Sequence, residues 1–404
     1  MKADMSLAQR IMSQLKAKDF RLLHVAFGLL VVKYGLFYAD YDTFHAVVDL
    51  ATLFFYLTIL LWLTKLFIRK KKPLLGNLSI LLMLVFILEL VFFFLLGMPK
   101  KEWKSYDTPD LEENHIGRHL GHVPWADSVW HDVKTAHGKT IFDAHYSIDK
   151  LHRRITPGYD KAKDKYAVFF GCSVCFGFGL QDDQTIPYYI QENTTSYNAY
   201  NYAYSGWGCN HMLARLEHKD LSKEVNEQQG IGIYVFIWSH IRRAISDMRI
   251  YTSWGHTMPY YYLEDNEIKR DGNFANGRVV TSTFYEYLDK SYTSKYFELN
   301  LPIETTEDHM ILAAEIIKEA KSTYTKQFSN DNFVVLIHPT DWVEFTPEKN
   351  NQFKSLLEAR GIEYLDYSEI LVLDNEHIII GDGHPNEKSN QELAKMVVKD
   401  LNLK

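Results

Sequence analysis

The chain has 404 residues, 47% hydrophobic and 24% charged, with a formal net charge of -7 and three cysteines. That length suits a sizeable domain plus something more. An acidic balance with no long basic tract after residue 104 excludes a nucleic-acid binder built on a basic surface.

In chain order, three apolar segments come first, at residues 22–38, 45–67 and 74–97, each about one bilayer thickness or longer. They predict a membrane region over residues 1–99 with roughly three transmembrane helices. The first segment carries His24 and Lys33, and a mid-membrane charge costs about 2.5–3.5 kcal/mol, so a surface-lying helix is its alternative. Asp49 and Glu89 are read as packing partners for Lys33. Lys2, Arg10, Lys16, Lys18 and Arg21 precede the first segment, and Lys65, Arg69, Lys70, Lys71 and Lys72 end the second. Those basic ends belong inside, which sends the chain after Gly97 to the outer side. The expected location is a bacterial-type inner (plasma) membrane, multi-pass, with the domain that follows the membrane region extracytoplasmic.

Residues 100–160 read as a polar linker followed by a small β-element. Asp143, His145, Ser147 and Asp149 alternate with Phe142, Ala144, Tyr146 and Ile148, a period of two that marks a strand with one wet face. His137-Gly138 fits the turn of a hairpin before it. His115 and His119 have metal-like spacing, but Gly117 and Gly121 interrupt a helix and no cysteine is near, so no metal is assigned.

Residues 161–404 read as one α/β domain. Apolar runs at 166–170, 197–204, 231–238, 333–338 and 362–366 alternate with helical patterns such as 308–328 and 386–401. They predict a flavodoxin-like, doubly wound parallel sheet with helices on both faces, and ligands at the carboxyl ends of its strands. An insertion at 250–305, with turn signals at Asp271-Gly272-Asn273 and Asn276-Gly277, predicts a hairpin and a short helix near the site mouth. Its Trp254, Tyr260, Tyr261 and Tyr262 either stack on sugar rings or pack the insertion onto the domain.

The run Tyr166 to Phe170 suits a strand buried on both faces, and it ends in Gly171-Cys172-Ser173. Gly171 lets the backbone bend, which leaves Ser173 at a strand-to-helix handover, near free N–H groups and well placed for a nucleophile. Far downstream, Asp382 and His384 lie two apart in a turn-rich loop, where a carboxylate can steady an imidazole whose other nitrogen faces the serine. A competing reading takes Cys172 and Cys175 as a thioredoxin-type C-x-x-C dithiol. It leaves Asp382 and His384 without a role.

These blocks resemble the SGNH/GDSL hydrolase family over roughly residues 144–404, with Gly171-Cys172-Ser173 as the first block and Asp382-Gly383-His384-Pro385-Asn386 as the last. The second block, usually N-x-G-x-S-G, is met by Asn201 to Gly206, with Ala203 in place of the earlier glycine. The third, G-x-N-D, is not met: after the run at 233–238 the chain reads Ser239-His240-Ile241-Arg242-Arg243. The resemblance implies an SGNH-type hydrolase domain in which Ser173, Asp382 and His384 are catalytic. Ser173 and Gly206 would supply oxyanion N–H groups, with Ser239 or His240 as a third donor. Arg243 is assigned to an anionic substrate group, with a salt bridge as its alternative, and no metal or organic cofactor is implied. The expected activity is a serine esterase, deacetylase-like, on an O-acyl group of an envelope glycan or lipid. An O-acyltransferase on a surface polysaccharide and an inactive SGNH-fold binding module are the alternatives. The implied partners are a small-molecule, glycan or lipid ester and the membrane, not nucleic acid.

Overall fold

The computed structural model describes residues 58–62, 64–69, 73–96, 115–339, 345–371 and 373–404. The chain divides into two compact units, one of Met1–Trp103 with Leu288–Leu299, the other of Lys104–Tyr287 with Asn300–Lys404.

In the first unit, an almost unbroken apolar sequence forms helix α1 (Pro73–Leu96). It has no charged residue in either end turn. Over Gly76–Leu96 it is the one helix among the described residues long and apolar enough to cross a membrane. The expected segment at 22–38, with Lys33 and Asp49, lies outside the described residues. Of the segment at 45–67, residues 58–62 and 64–67 are described, and they are helical. Glu89, expected to partner Lys33, has Ser291 and Tyr292 as described partners.

The second unit opens with α2 (His115–Leu120) and a hairpin of β1 (Ser128–Ala136) and β2 (Lys139–Ile148). Its turn is His137-Gly138, both at positive φ (50° and 73°), as a tight right-twisting hairpin requires. The main sheet comprises β3 (Lys165–Phe170), β4 (Tyr197–Asn201), β5 (Gln229–Phe236), β8 (Phe333–Ile337) and β9 (Glu363–Asp366). All neighbours are parallel, in the order β4-β3-β5-β8-β9. Counted along the chain, that is the 2-1-3-4-5 order of the flavodoxin-like fold, as expected.

The helices between them are α3 (Ser173–Phe176), α4 (Ile186–Glu192), α5 (Cys209–His218), α6 (Ser239–Ile245), α7 (Met248–Ser253), α8 (Phe274–Gly277), α9 (Val279–Asp289), α10 (Tyr292–Tyr296), α11 (Glu307–Phe328), α12 (Pro347–Glu358) and α13 (Glu387–Asp400). Of these, α10 belongs to the first unit. Successive side chains of β3 point to opposite faces. Tyr166, Val168 and Phe170 pack with Leu213 of α5 and Ile317 of α11, while Ala167 and Phe169 pack with Ile190 of α4 and Leu393 of α13. With both faces covered, the strand has no wet side, so its sequence does not alternate.

The insertion forms the expected hairpin, β6 (Pro259–Glu264) and β7 (Glu267–Asn273). Its turn is Asp265-Asn266, at φ 51° and 61°, and not Asp271-Gly272-Asn273. Asp and Asn tolerate the left-handed region, so the chain reverses earlier, and Asn273 instead caps α8.

Candidate active site

The parallel sheet brings the carboxyl ends of β3, β4 and β5 side by side, and three loops meet there. After Phe170 the backbone turns at Gly171, where a Cβ would lie 2.9 Å from Cys175 Cβ and 3.0 Å from the Val235 carbonyl oxygen. Glycine is therefore required. Ser173 begins α3, a single turn that ends at Gly177, whose φ of 85° turns the chain away.

His384 comes from the loop before α13, whose N-cap is Asn386. Gly381 and Gly383, at φ 88° and 95°, allow that loop to fold tightly around Asp382. The result places His384 Nε2 2.8 Å from Ser173 Oγ, although the residues are 211 apart in sequence. On the other side of the ring, Nδ1 makes a short contact with Asp382 Oδ1. Ser173 is 6% exposed and the Asp382 side chain 4%. Burial alone would raise the Asp382 pKa, but hydrogen bonds from His384 and Lys134 outweigh it and hold the carboxyl at about 2. An ionised Asp382 keeps the shared proton on Nδ1, which leaves Nε2 to accept from the serine hydroxyl.

The sign of that shift gives a stability prediction. A carboxyl held below its ordinary value adds stability that is fully present above about pH 4 and is lost as pH falls toward 2. Wild type should therefore lose part of its resistance to denaturant across that window, and Asp382→Asn should lose less. Parallel slopes of unfolding free energy against pH would show that the His384 and Lys134 contacts contribute nothing.

Two residues that sequence reasoning missed hold this arrangement. Lys134, on β1, donates to Asp382 Oδ2, a partner 248 positions away. Arg154 is 1% exposed and grips the far end of α3. Its NH1 donates to the Phe176 and Gly177 carbonyls at 2.7 Å each, its NH2 to that of Leu180 at 2.6 Å, and its Nε to Asp182 at 2.9 Å. It also bridges the hairpin to the main sheet, pairing with Ile148 and Asn201. Asn201 in turn donates to the Cys175 carbonyl at 3.1 Å. The turn that carries Ser173 is thus fixed from two sides.

The loop after β4 carries Gly206 at φ 79°. Three bonds set its path: His122 Nε2 with the Ser205 carbonyl at 2.8 Å, Trp207 Nε1 to the His122 carbonyl at 2.9 Å, and Arg243 NH1 to the Trp207 carbonyl at 2.7 Å. Burial drives the His122 pKa down to about 4, so its ring is neutral at pH 7 and its Nε2–H is the donor. Arg243, expected on substrate, is buried and committed to this clamp, because α6 turns it inward under the loop. Ser239, half-buried, opens α6 just past β5. His240 is fully buried, its Nδ1 2.7 Å from the Tyr234 hydroxyl, and burial lowers its pKa strongly. His240 is thus held within the core, while Ser239 keeps partial exposure.

Of the insertion aromatics, Trp254 stands at the site: a Cβ on Gly206 would lie 2.9 Å from its Nε1. Tyr261 is buried with its hydroxyl on Glu217, and Tyr260 stacks on Tyr262 and tilts against Phe274, so these tyrosines pack the insertion. Cys172 and Cys175 are both fully buried, and burial pushes the Cys175 thiol well up, against thiolate chemistry. His119, from the metal-like pair, has its Nε2 3.0 Å from the Ala214 carbonyl. The one cluster of three metal-type ligands among the described residues is His131, Asp143 and His145, exposed on the outer face of the hairpin.

No protein-family model matches the chain, and no curated protein matches it. Among solved structures, it is similar to a protein described as lipolytic, of the G-D-S-L family, from Desulfitobacterium hafniense DCB-2. The identity is 12% and the TM-score 0.29, over 58% of this chain and 98% of that one. It is also similar to the salicylyl-acyltransferase SsfX3 from a tetracycline biosynthetic pathway. There the identity is 10% and the TM-score 0.33, over 60% of this chain and 55% of that one. Both likenesses are remote.

Proposed function

We propose that the chain is a membrane-anchored serine esterase, deacetylase-like, acting on an O-acyl group of an envelope glycan or lipid. The observation that carries this reading is the 2.8 Å contact between Ser173 Oγ and His384 Nε2, with Asp382 on the opposite nitrogen. Ser173 attacks the ester carbonyl as His384 takes its proton, and the acyl group passes to Oγ while the alcohol leaves with that proton. Asp382 stays ionised and steadies the imidazolium. The Ser173 and Gly206 N–H groups hold the tetrahedral oxyanion, with Ser239 as third donor. Among the described residues neither amide donates to another protein group. Water then accepts the acyl group; a sugar hydroxyl in its place would make the same site an O-acyltransferase.

The membrane part rests on α1 as a span, with the second unit extracytoplasmic, in a region of roughly three spans over residues 1–99. A pure binding module gains nothing from a nucleophile, base and buried carboxylate in line, which favours the enzyme. Full-length protein in detergent micelles should release p-nitrophenol from p-nitrophenyl acetate and acetate from an O-acetylated glycan. Release from neither, in folded protein, would leave the binding module. Gly206→Ala must place a Cβ at positive φ against Trp254 and His122. Its kcat should fall by up to about 10²-fold through a displaced oxyanion donor. An unchanged kcat would remove Gly206 from the site.

A further inference from the structure

The insertion ends in a segment that belongs to the first unit with α1. Glu89 of α1 caps the start of α10: its carboxylate accepts from Ser291 Oγ at 2.6 Å, Tyr292 N at 2.7 Å and Thr293 N at 3.3 Å. Rings then pack along the same side, Tyr292 on Phe93 at 5.0 Å and Tyr296 and Phe297 on Phe92 at 4.4 and 5.1 Å. Glu89 lies seven residues before the last residue of α1, Leu96. At 1.5 Å per residue, that sets α10 about 10 Å from the end of the helix. Tyr296 and Phe297 are nevertheless 45% and 65% exposed.

Just upstream, α9 has two opposed faces. Ser282 and Tyr285 are buried, whereas Val280, Phe284 and Tyr287 are 85%, 52% and 59% exposed. At about 100° per residue the three exposed side chains fall within roughly 60° of one another, opposite the buried pair. Nothing among the described residues covers them. Tyr287 is only four residues from Ser291, a reach of at most about 14 Å. The apolar face is therefore tethered closely to a segment attached to α1.

We propose that this face of α9 docks into the interfacial layer of a zwitterionic bilayer. The proposal rests on the insertion of α1 in the membrane put forward above. Lipid is the occupant that the neighbours select, because α1 exposes apolar side chains that water does not tolerate and α10 rides on it. Tyrosine and phenylalanine suit that layer. Lys290 and Lys295 are balanced by Glu286, Asp289 and Glu298, so no anionic lipid is demanded.

The test uses the full chain in phosphatidylcholine nanodiscs with single nitroxide labels. The variants are Phe284→Cys and Val280→Cys on α9, Leu84→Cys on α1 and Glu348→Cys on α12, with unsubstituted protein as background for the three buried native cysteines. Labels at 280, 284 and 84 should show an oxygen-to-nickel-chelate accessibility ratio several-fold above that at 348. Lipid-like Leu84 with water-like labels at both 280 and 284 would overturn the docking alone. Water-like values at Leu84 as well would overturn the insertion of α1 and the docking with it. Dipolar broadening between labels at 284, with both relaxants excluded, would put a second copy of the chain on this face and also overturn the proposal.

Discussion

Ser173→Ala is expected to lower kcat/KM for a soluble ester by about 10⁴-fold or more, with unfolding free energy within about 0.5 kcal/mol of wild type. His384→Ala should fall as far. The double variant should fall no further, because a nucleophile and its base act as one unit, each useless without the other. The Oγ–Nε2 contact of 2.8 Å is what makes the two inseparable. Steady-state hydrolysis by the four proteins checks this. Losses that add in free energy, or a Ser173→Ala protein that keeps its rate, would show that the hydroxyl and the imidazole do not work together.

The second large effect belongs to Arg154→Met. The guanidinium is almost fully buried and donates to four backbone carbonyls and one carboxylate. Methionine keeps much of the volume but takes the donor from the Phe176 and Leu180 carbonyls, while the Gly177 carbonyl keeps the Leu180 N–H and Asp182 keeps the Ser147 N–H. Removing one partner of a buried ionic cluster costs about 3–5 kcal/mol. Thermal and denaturant unfolding should register that loss, and kcat should fall with it, because the freed carbonyls belong to the turn that positions Ser173. Arg154→Lys should recover only part of both, since an ammonium lacks the planar fork that reaches several acceptors at once. A change below about 1 kcal/mol would match a surface arginine and contradict this role.

The residues proposed to bear chemistry were legible because their local sequence is unusual. An unbroken apolar run ending in Gly171-Cys172-Ser173 announces a buried strand and a turn, and Asp382 to Asn386 announces a loop with a carboxylate beside an imidazole. The residues that hold them were not legible. Lys134 finds its partner across 248 positions, and Arg154 is satisfied mostly by backbone carbonyls, which leave no trace in side-chain identity. Arg243 and His240 were placed correctly along the chain, just after β5. Their direction depends on the orientation of α6, and that helix turns both inward. The insertion read as a hairpin and a short helix, yet Leu288–Leu299 groups with α1 through Glu89 and the rings of Phe92 and Phe93, and the one sequence signal for this is a carboxylate in an apolar helix.

The most direct measurement is covalent capture of the serine. A fluorophosphonate added to folded wild type should raise the mass of the peptide carrying Ser173 by one phosphonyl group. Labelling should be lost in Ser173→Ala and strongly slowed in His384→Ala. Modification at another residue, or equal labelling with and without His384, would mean that the imidazole does not activate this hydroxyl.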